Sequence, residues 1–183
     1  MNKTYVAFLR GINVGGRTKV SMERLKEVFT SLGFSNLQTI LNSGNVIFEA
    51  PELDTFKLEE TIAKQLAKTF GLVINVLVRS GDEIQRLISD NPFAEIHITP
   101  QTRLYVTFLP ADHNPSFPLP YTSPDKDFNI LKVRDRVVIS VLELAPKMQT
   151  TEAMKIIETE FGKQVTSRNW NTIVKIGTLL RQS

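Results

Sequence analysis

Hydrophobic residues recur along the first half of the chain with two periods, and their order predicts alternating strands and helices. Residues 4–9, TYVAFL, form a continuous β-rich run that predicts a buried strand. Apolar residues at helical spacing predict helices over 22–32 and 55–70, each followed by a glycine. Between them, LQTILNSGNVIFEA predicts a hairpin, because glycine and asparagine tolerate positive φ. A fourth strand is predicted over 72–78.

The order of these elements, β-α-β-β-α-β, is the split arrangement of ferredoxin-like domains. Ser80 and Glu83 stand at capping-box spacing and predict the start of a third helix. The pattern therefore predicts an α+β fold whose first half, residues 1–95, is a ferredoxin-like domain.

The second half, residues 96–183, is predicted to be a smaller α+β domain. Its predicted elements are strands at 103–109, 128–133 and 137–144 and helices near 150–161 and 167–180. Five of the nine prolines fall within 110–124, which indicates an extended loop with no regular helix. No internal repeat is evident by this reading.

Composition narrows the classes of function. The 183 residues include no Cys and two His, which excludes thiolate chemistry and cysteine-based metal sites and disfavours a histidine-rich one. No apolar run is long enough to span a bilayer, so no membrane partner is expected. A reducing, cytoplasmic location is the expectation. The net charge of +3 combines +4 in residues 1–22, +4 in residues 163–183 and −5 between them, which indicates an anionic partner or two solvated basic surfaces.

The stretch LRGINVGGRTKVSM carries the first candidate site. It has neither the Walker pattern nor the glycine spacing of a dinucleotide site. It does place a glycine turn between a strand and a helix capped by Ser21, where free amides and the helix dipole favour an anion. The alternative is a tight bend that needs small residues. Candidate ligand-binding residues here are Arg10, Asn13, Gly15, Gly16, Arg17 and Lys19.

A second candidate is TSRNWNT, read as the start of the last helix with Thr166 or Ser167 as its N-cap. A cation in the first helical turn is electrostatically unfavourable, so Arg168, beside Asn169, indicates a nearby anion. Trp170 either stacks on a ligand or belongs to the core with Ile173 and Val174. The hairpin tip adds Ser43 and Asn45 as candidates.

Other polar residues give weaker indications. His97 and His113 have no serine or carboxylate partner visible in the sequence, and no further carboxylates follow Asp125 and Asp127 at calcium-site spacing. We therefore predict no metal site, and the sequence indicates no particular cofactor.

Three separated motifs, RGINVGG with KVSMERLKEVFTSLGF, TILNSGNVIF and TSRNWNT, resemble the bacterial family catalogued as domain of unknown function 1697. That family usually has proline where this chain has Ser21, and often Tyr-Ile-Gln at residues 40–42. The resemblance implies a two-part α+β architecture with a ferredoxin-like first half. It implies no activity, and its motif residues suit binding at least as well as acid–base catalysis.

Three functions follow as hypotheses. The leading one is a protein that binds a phosphate- or carboxylate-bearing small molecule between its two halves, where an enzyme would use fixed donors to stabilise developing charge. The second is single-stranded nucleic-acid binding through the ferredoxin-like sheet, with Tyr5 and Phe48 as candidate stacking aromatics. The third is an adaptor whose basic ends bind an acidic protein.

Overall fold

The structure is a computed structural model, and it describes residues 2–13, 19–41 and 44–182. The chain divides into two compact units, Met1–Leu87 with Lys175–Ser183 and Ile88–Val174. This division falls after residue 87 and groups the end of the chain with the first unit, whereas the sequence predicts one boundary after residue 95.

The first unit contains the predicted ferredoxin-like arrangement. Its strands and helices are β1 (Asn2–Leu9), α1 (Met22–Ser31), β2 (Ser35–Ile40), β3 (Asn45–Pro51), α2 (Thr55–Phe70) and β4 (Val76–Ser80). Helix α3 (Gly81–Ser89) begins in this unit and ends two residues beyond it. The four strands form an antiparallel sheet in the order β2-β3-β1-β4. This is the strand order that a split βαβ unit produces.

Helices α1 and α2 pack against one face of this sheet. Tyr5 and Phe48 stack within the core with ring centroids 5.7 Å apart, and Phe29 of α1 meets Phe48 edge-on at 5.2 Å. Tyr5 is 2% exposed and Phe48 is fully buried. The expectation that these two aromatics form an open stacking surface is therefore wrong, because both side chains point toward the helices.

Local capping chemistry sets the helix boundaries close to where the sequence predicts them. The Ser21 side chain accepts from the backbone N–H of Arg24 and caps α1. At the start of α3, a carboxylate oxygen of Glu83 accepts from both the backbone and the hydroxyl of Ser80. Strand β4 begins at Val76 rather than residue 72, and the preceding Val73 is 94% exposed.

The second unit contains a five-stranded antiparallel sheet. Its elements are β5 (Thr102–Phe108), β6 (Tyr121–Thr122), β7 (Phe128–Arg134), β8 (Val137–Glu143), α4 (Thr150–Phe161), β9 (Thr166–Asn169) and the start of α5 (Trp170–Leu180). The strand order is β6-β7-β8-β5-β9. The hairpin β7–β8 turns at Asp135 and Arg136, which both have positive φ, one residue later than predicted.

The two units share one topology. Strands β7-β8-β5-β9 follow the order of β2-β3-β1-β4, with β6 added at the edge, and α4 occupies the place of α2 in the chain. The segment between β5 and β7, which holds the prolines, takes the place of α1. The second unit is therefore a ferredoxin-like arrangement without its first helix.

One strand sequence and its register also correspond between the two units. The strand TYVAFL at residues 4–9 matches LYVTFL at 104–109 in four of six positions. In β1, Val6 pairs with Arg79 of β4, and in β5, Val106 pairs with Arg168 of β9. The sequence alone does not reveal this correspondence, because the matching residues are few and lie in one short strand.

Candidate functional site

Two hydrogen bonds from the Asn13 side chain to the backbone of Val20 close the connection between β1 and α1. The Asn13 amide donates to the carbonyl oxygen of Val20 at 2.9 Å, and the backbone N–H of Val20 donates to Asn13 Oδ1 at 2.8 Å. Asn13 adopts φ of 55°, which asparagine tolerates better than most residues. The paired bonds hold together the two ends of the glycine-containing connection, so Asn13 has a structural reason to be polar.

A surface depression of about 610 Å³ lies at the beginning of α1. Its lining residues are Asn13, Lys19, Val20, Ser21, Met22, Arg24 and Phe70. Lys19 and Arg24 are both exposed cations, and Met22 and Phe70 give the depression an apolar part. The predicted candidates Asn13 and Lys19 thus lie together, whereas Arg24 and Phe70 were not predicted.

Arg24 is held in place by the end of α2. Its guanidinium carbon lies 5.1 Å from the centroid of the Phe70 ring, and Nη2 donates to the carbonyl oxygen of Thr69 at 3.5 Å. Both contacts favour a cation, through the ring quadrupole and through the negative end of the helix dipole. Arg24 is therefore held beside the depression by the end of α2, where Thr69 lies 45 residues away in the chain.

The remaining candidates from the first unit do not line this depression. Arg10 donates its backbone N–H to the carbonyl oxygen of Asn75. Asn45 is fully buried and its amide donates to the carbonyl oxygen of Ile40, so it closes the β2–β3 hairpin and is not accessible to a ligand. The candidates Gly15, Gly16, Arg17 and Ser43 lie outside the described residues.

The TSRNWNT motif differs in structure from its prediction. Ser167, Arg168 and Asn169 belong to strand β9, and α5 begins only at Trp170. The prediction of Ser167 as a helix cap is wrong, because residues 166–169 pair with β5. Arg168 therefore does not lie in the first turn of a helix, and the helix dipole gives no reason to expect an anion beside it.

Arg168 is nevertheless in an unusual environment for a cation. Its Nη1 donates to Thr166 Oγ1 at 2.8 Å and to the carbonyl oxygen of Ser167 at 2.9 Å. Burial lowers the pKa of Arg168 to about 10, which means that the guanidinium has lost much of its hydration. The Ser167 hydroxyl lies 2.6 Å from that of Thr107 on the neighbouring strand.

Trp170 and Asn169 complete this motif. The Trp170 ring is half-buried and meets Phe93 edge-on with centroids 5.2 Å apart, whereas Asn169 is exposed. Ile173 is fully buried and Val174 is 36% exposed, so only part of the expected apolar group is in the core.

Comparison with known proteins agrees with this architecture. The family model described as "Protein of unknown function (DUF1697)" matches residues 1–139. The chain belongs to this family. Among curated proteins, none matches the sequence. The solved structure of the conserved bacterial protein SP0830 from Streptococcus pneumoniae is similar, with a TM-score of 0.73 and 20% identity over 98% of this chain and 99% of that one. At that identity the similarity shows the fold.

In this DUF1697 family member, the proline-rich segment is fixed by a cluster that the sequence did not predict. Glu160 of α4 accepts from the backbone N–H of Ser116 at 2.6 Å and from its hydroxyl at 2.7 Å. His113 Nε2 lies 3.2 Å from the same carboxylate. These bonds, chiefly the one from the Ser116 hydroxyl, hold the pKa of Glu160 below its ordinary value.

Ser116, His113 and Glu160 are the residue types of a nucleophilic catalytic site, but their hydrogen bonds connect them in a different order. The Ser116 hydroxyl donates to Glu160, and the carboxylate stands between the serine and His113. Activation of a serine requires a base bonded directly to the hydroxyl, with a third group orienting that base. The arrangement therefore anchors the segment to α4.

Two kinds of feature are absent from the described residues. No group of three or more His, Cys, Asp or Glu side chains there could hold a metal ion. Within the same residues, every helix is too short or too polar to cross a membrane.

Proposed function

We propose that this protein binds a small anionic ligand, bearing a phosphate or a carboxylate, in the depression at the beginning of α1. The observation that carries the proposal is the meeting of Lys19 and Arg24 at one depression whose remaining wall includes Phe70. The site lies wholly within the first unit.

Electrostatics support an anion at this position. The depression adjoins the N-terminus of α1, where the helix dipole favours negative charge. Both cations can donate charge-assisted hydrogen bonds, and the contact with Phe70 leaves Arg24 partly ordered before a ligand arrives. Glu23, the acidic residue in the first turn of α1, is exposed and does not line the depression.

The apolar part of the depression suggests the shape of the ligand. Met22 and Phe70 can contact an uncharged portion, while Lys19 and Arg24 take the charged group. We therefore expect a molecule with an anionic end and a flat or apolar body to bind more tightly than inorganic phosphate.

The stacking aromatics required for the nucleic-acid alternative are in the core. A single-stranded RNA surface needs exposed rings on the sheet, and Tyr5 and Phe48 are buried beneath the helices. The adaptor alternative has no specific observation in its favour.

The test is a titration of the purified protein with inorganic phosphate, pyrophosphate and nucleoside monophosphates. Binding is measured by calorimetry and by the change in the midpoint of thermal unfolding. A ligand at 100 times its Kd should stabilise the protein by about 2.7 kcal/mol. Lys19→Ala and Arg24→Ala should each weaken binding, and Lys26→Ala, which removes an exposed cation from the same helix outside the depression, should not.

Arg24 also packs on Phe70, so Arg24→Ala can reduce stability without any effect on a ligand. The exposed Lys19 is the cleaner probe for that reason. Equal affinities of wild type, Lys19→Ala and Lys26→Ala for every ligand in the panel would contradict the proposal.

A further inference from the structure

One buried hydroxyl group in the second unit has no hydrogen-bond partner. Ser140 lies in β8, its side chain is fully buried, and no group in the described part of the chain bonds to its Oγ. A buried hydroxyl without a partner costs free energy, and buried polar groups in native proteins nearly always have one. The second unit therefore contains a hydrogen-bonding group that its own fold leaves unused.

The register of the strands shows which face of the sheet carries Ser140. This residue is directly opposite Tyr105 of β5 and Ile130 of β7, and Ile130 is opposite Tyr121 of β6. Directly opposite residues in antiparallel strands lie on the same face of the sheet. Tyr105 and Ile130 belong to the apolar core that includes α4, and Tyr121 packs against it. The Ser140 hydroxyl therefore points into that core.

The first unit has a large aromatic side chain at the corresponding position. Phe48 is opposite Tyr5, as Ser140 is opposite Tyr105. Phe48 is fully buried, and its ring meets that of Phe29 in α1. In the second unit a serine stands in place of the phenylalanine, and the proline-rich segment stands in place of the helix in the chain order.

The proline-rich segment contributes two aromatic side chains to this core. Phe117 and Tyr121 are half-buried, pack against the core cluster and have ring centroids 4.4 Å apart. Residues 109–120 form no helix or strand, and Ser116 bonds the segment to Glu160 of α4 through exposed hydrogen bonds. Such a segment can separate from the core by breaking a few exposed bonds, without unfolding a helix.

An internal water molecule would satisfy Ser140 poorly. A buried water needs about two to four polar partners. The neighbours of Ser140 on the same face of β8, Val138 and Leu142, are apolar, and the Tyr105 hydroxyl is already bonded to Thr150. A molecule with an apolar body and one hydrogen-bonding group suits these surroundings better, because the body contacts the core while its polar group bonds to Ser140.

We propose that the second unit binds a small, uncharged aromatic molecule that carries one hydroxyl group, inside the core beside Ser140. The aromatic ring takes the kind of place that Phe48 fills in the first unit. The proline-rich segment is the lid of this site, and Phe117 and Tyr121 move away from the core as the molecule enters. The site lies wholly within the second unit and does not depend on the depression at α1.

The test compares phenol with toluene, which share the ring and differ in the hydroxyl group, by titration of ¹⁵N-labelled full-length protein. In wild type, both should move amide resonances of β7 and β8 in a saturable manner. Because phenol is better hydrated than toluene, the informative quantity is the ratio of the two affinities. Ser140→Ala should lower the ratio of phenol to toluene affinity about fivefold, which corresponds to the loss of one neutral hydrogen bond.

A second buried hydroxyl on the same face provides the matched control. Thr107 is opposite Val138, is fully buried, and its hydroxyl lies 2.6 Å from that of Ser167. Thr107→Val should leave the affinity ratio unchanged and lower the midpoint of thermal unfolding, because Ser167 loses its partner. Ser140→Ala should instead raise the midpoint, because it removes a hydroxyl without a partner.

Glu160→Gln tests the lid separately. An amide has one acceptor oxygen where the carboxylate has two, so the bonds from Ser116 are weakened. The variant should bind phenol with a faster association rate and the wild-type affinity ratio, whereas Glu23→Gln, at an exposed position of α1, should change neither. The absence of saturable binding in wild type, or an equal affinity ratio in wild type and Ser140→Ala, would overturn the proposed site. An association rate unchanged by Glu160→Gln would overturn the assignment of the segment as its lid.

Discussion

The carboxylate of Glu59 should couple energetically to Arg79, and Glu59→Ala measures this coupling. The Arg79 side chain is 1% exposed and that of Glu59 is 12% exposed. Removing one member of a buried ion pair destabilises a protein by about 3–5 kcal/mol. The separation of 3.6 Å and the residual exposure of the carboxylate favour the lower end, about 3 kcal/mol.

Two further variants separate the contribution of the Glu59 charge to this loss of stability from that of its hydrogen bond to Val78. Glu59→Gln keeps an oxygen that can accept from Val78 and loses only the charge, so we expect a loss of about 1 kcal/mol. In an Arg79→Met background, Glu59→Ala should lose only the hydrogen bond to Val78, about 1.5 kcal/mol. The coupling energy between Glu59 and Arg79 is then about 1.5 kcal/mol.

The assay is urea unfolding followed by far-ultraviolet circular dichroism, because Trp170 fluorescence reports only on the second unit. The four proteins of the double-mutant cycle must show the same m-value for their free energies of unfolding to be compared. If Glu59→Ala has the same effect in both backgrounds, within about 0.5 kcal/mol, the two side chains are not coupled and the reasoning is refuted.

Three other outcomes are expected. Asn13→Ala should destabilise the protein by about 2 kcal/mol in urea, because the buried backbone of Val20 loses both partners, and Asn13→Asp should recover part of that loss. The pKa of Glu160 is lower in the folded protein than its ordinary value, so the ionised carboxylate stabilises the folded state. This contribution is complete above the ordinary pKa and disappears as the pH falls through the folded-state pKa. Glu160→Gln should therefore make the free energy of unfolding less dependent on pH on the acid side. Tyr5→Phe removes the hydroxyl that bonds to the backbone of Leu53 just before α2, and Tyr105→Phe removes the one that bonds to the Thr150 hydroxyl at the start of α4. Each should lower the free energy of unfolding in urea by about 1 kcal/mol, and an unchanged value in either variant would contradict this role for its hydroxyl.

Elements that depend on nearby residues are the ones that the sequence predicts well. Helix α2 begins and ends where predicted, and Ser21 caps α1, because capping and helical spacing act over a few residues. Strand β9 was read as the first turn of a helix, since TSRNWN has little apolar alternation and becomes a strand only by pairing with β5, 60 residues earlier. Pairing over that distance leaves no local pattern in the sequence.

The same distinction between local signals and distant contacts applies to the candidate site residues. Lys19 and Asn13 can be predicted because they adjoin the glycine turn in the sequence. The role of Arg24 depends on its contact with Phe70, which only the folded structure shows. Glu160 lies 44 residues from Ser116, and neither residue indicated the other. Tyr5 was placed on the wrong face because alternation separates the two faces of a strand without showing which one the helices cover.

The shared topology shows which parts of the two units are alike and which differ. The central strands of both units keep the same residues, Tyr, Val, Phe and Leu, at the same spacing, because packing constrains each of them. The connections that leave these strands are free to diverge, and one became a glycine turn before α1 while the other became a proline-rich segment anchored by Glu160.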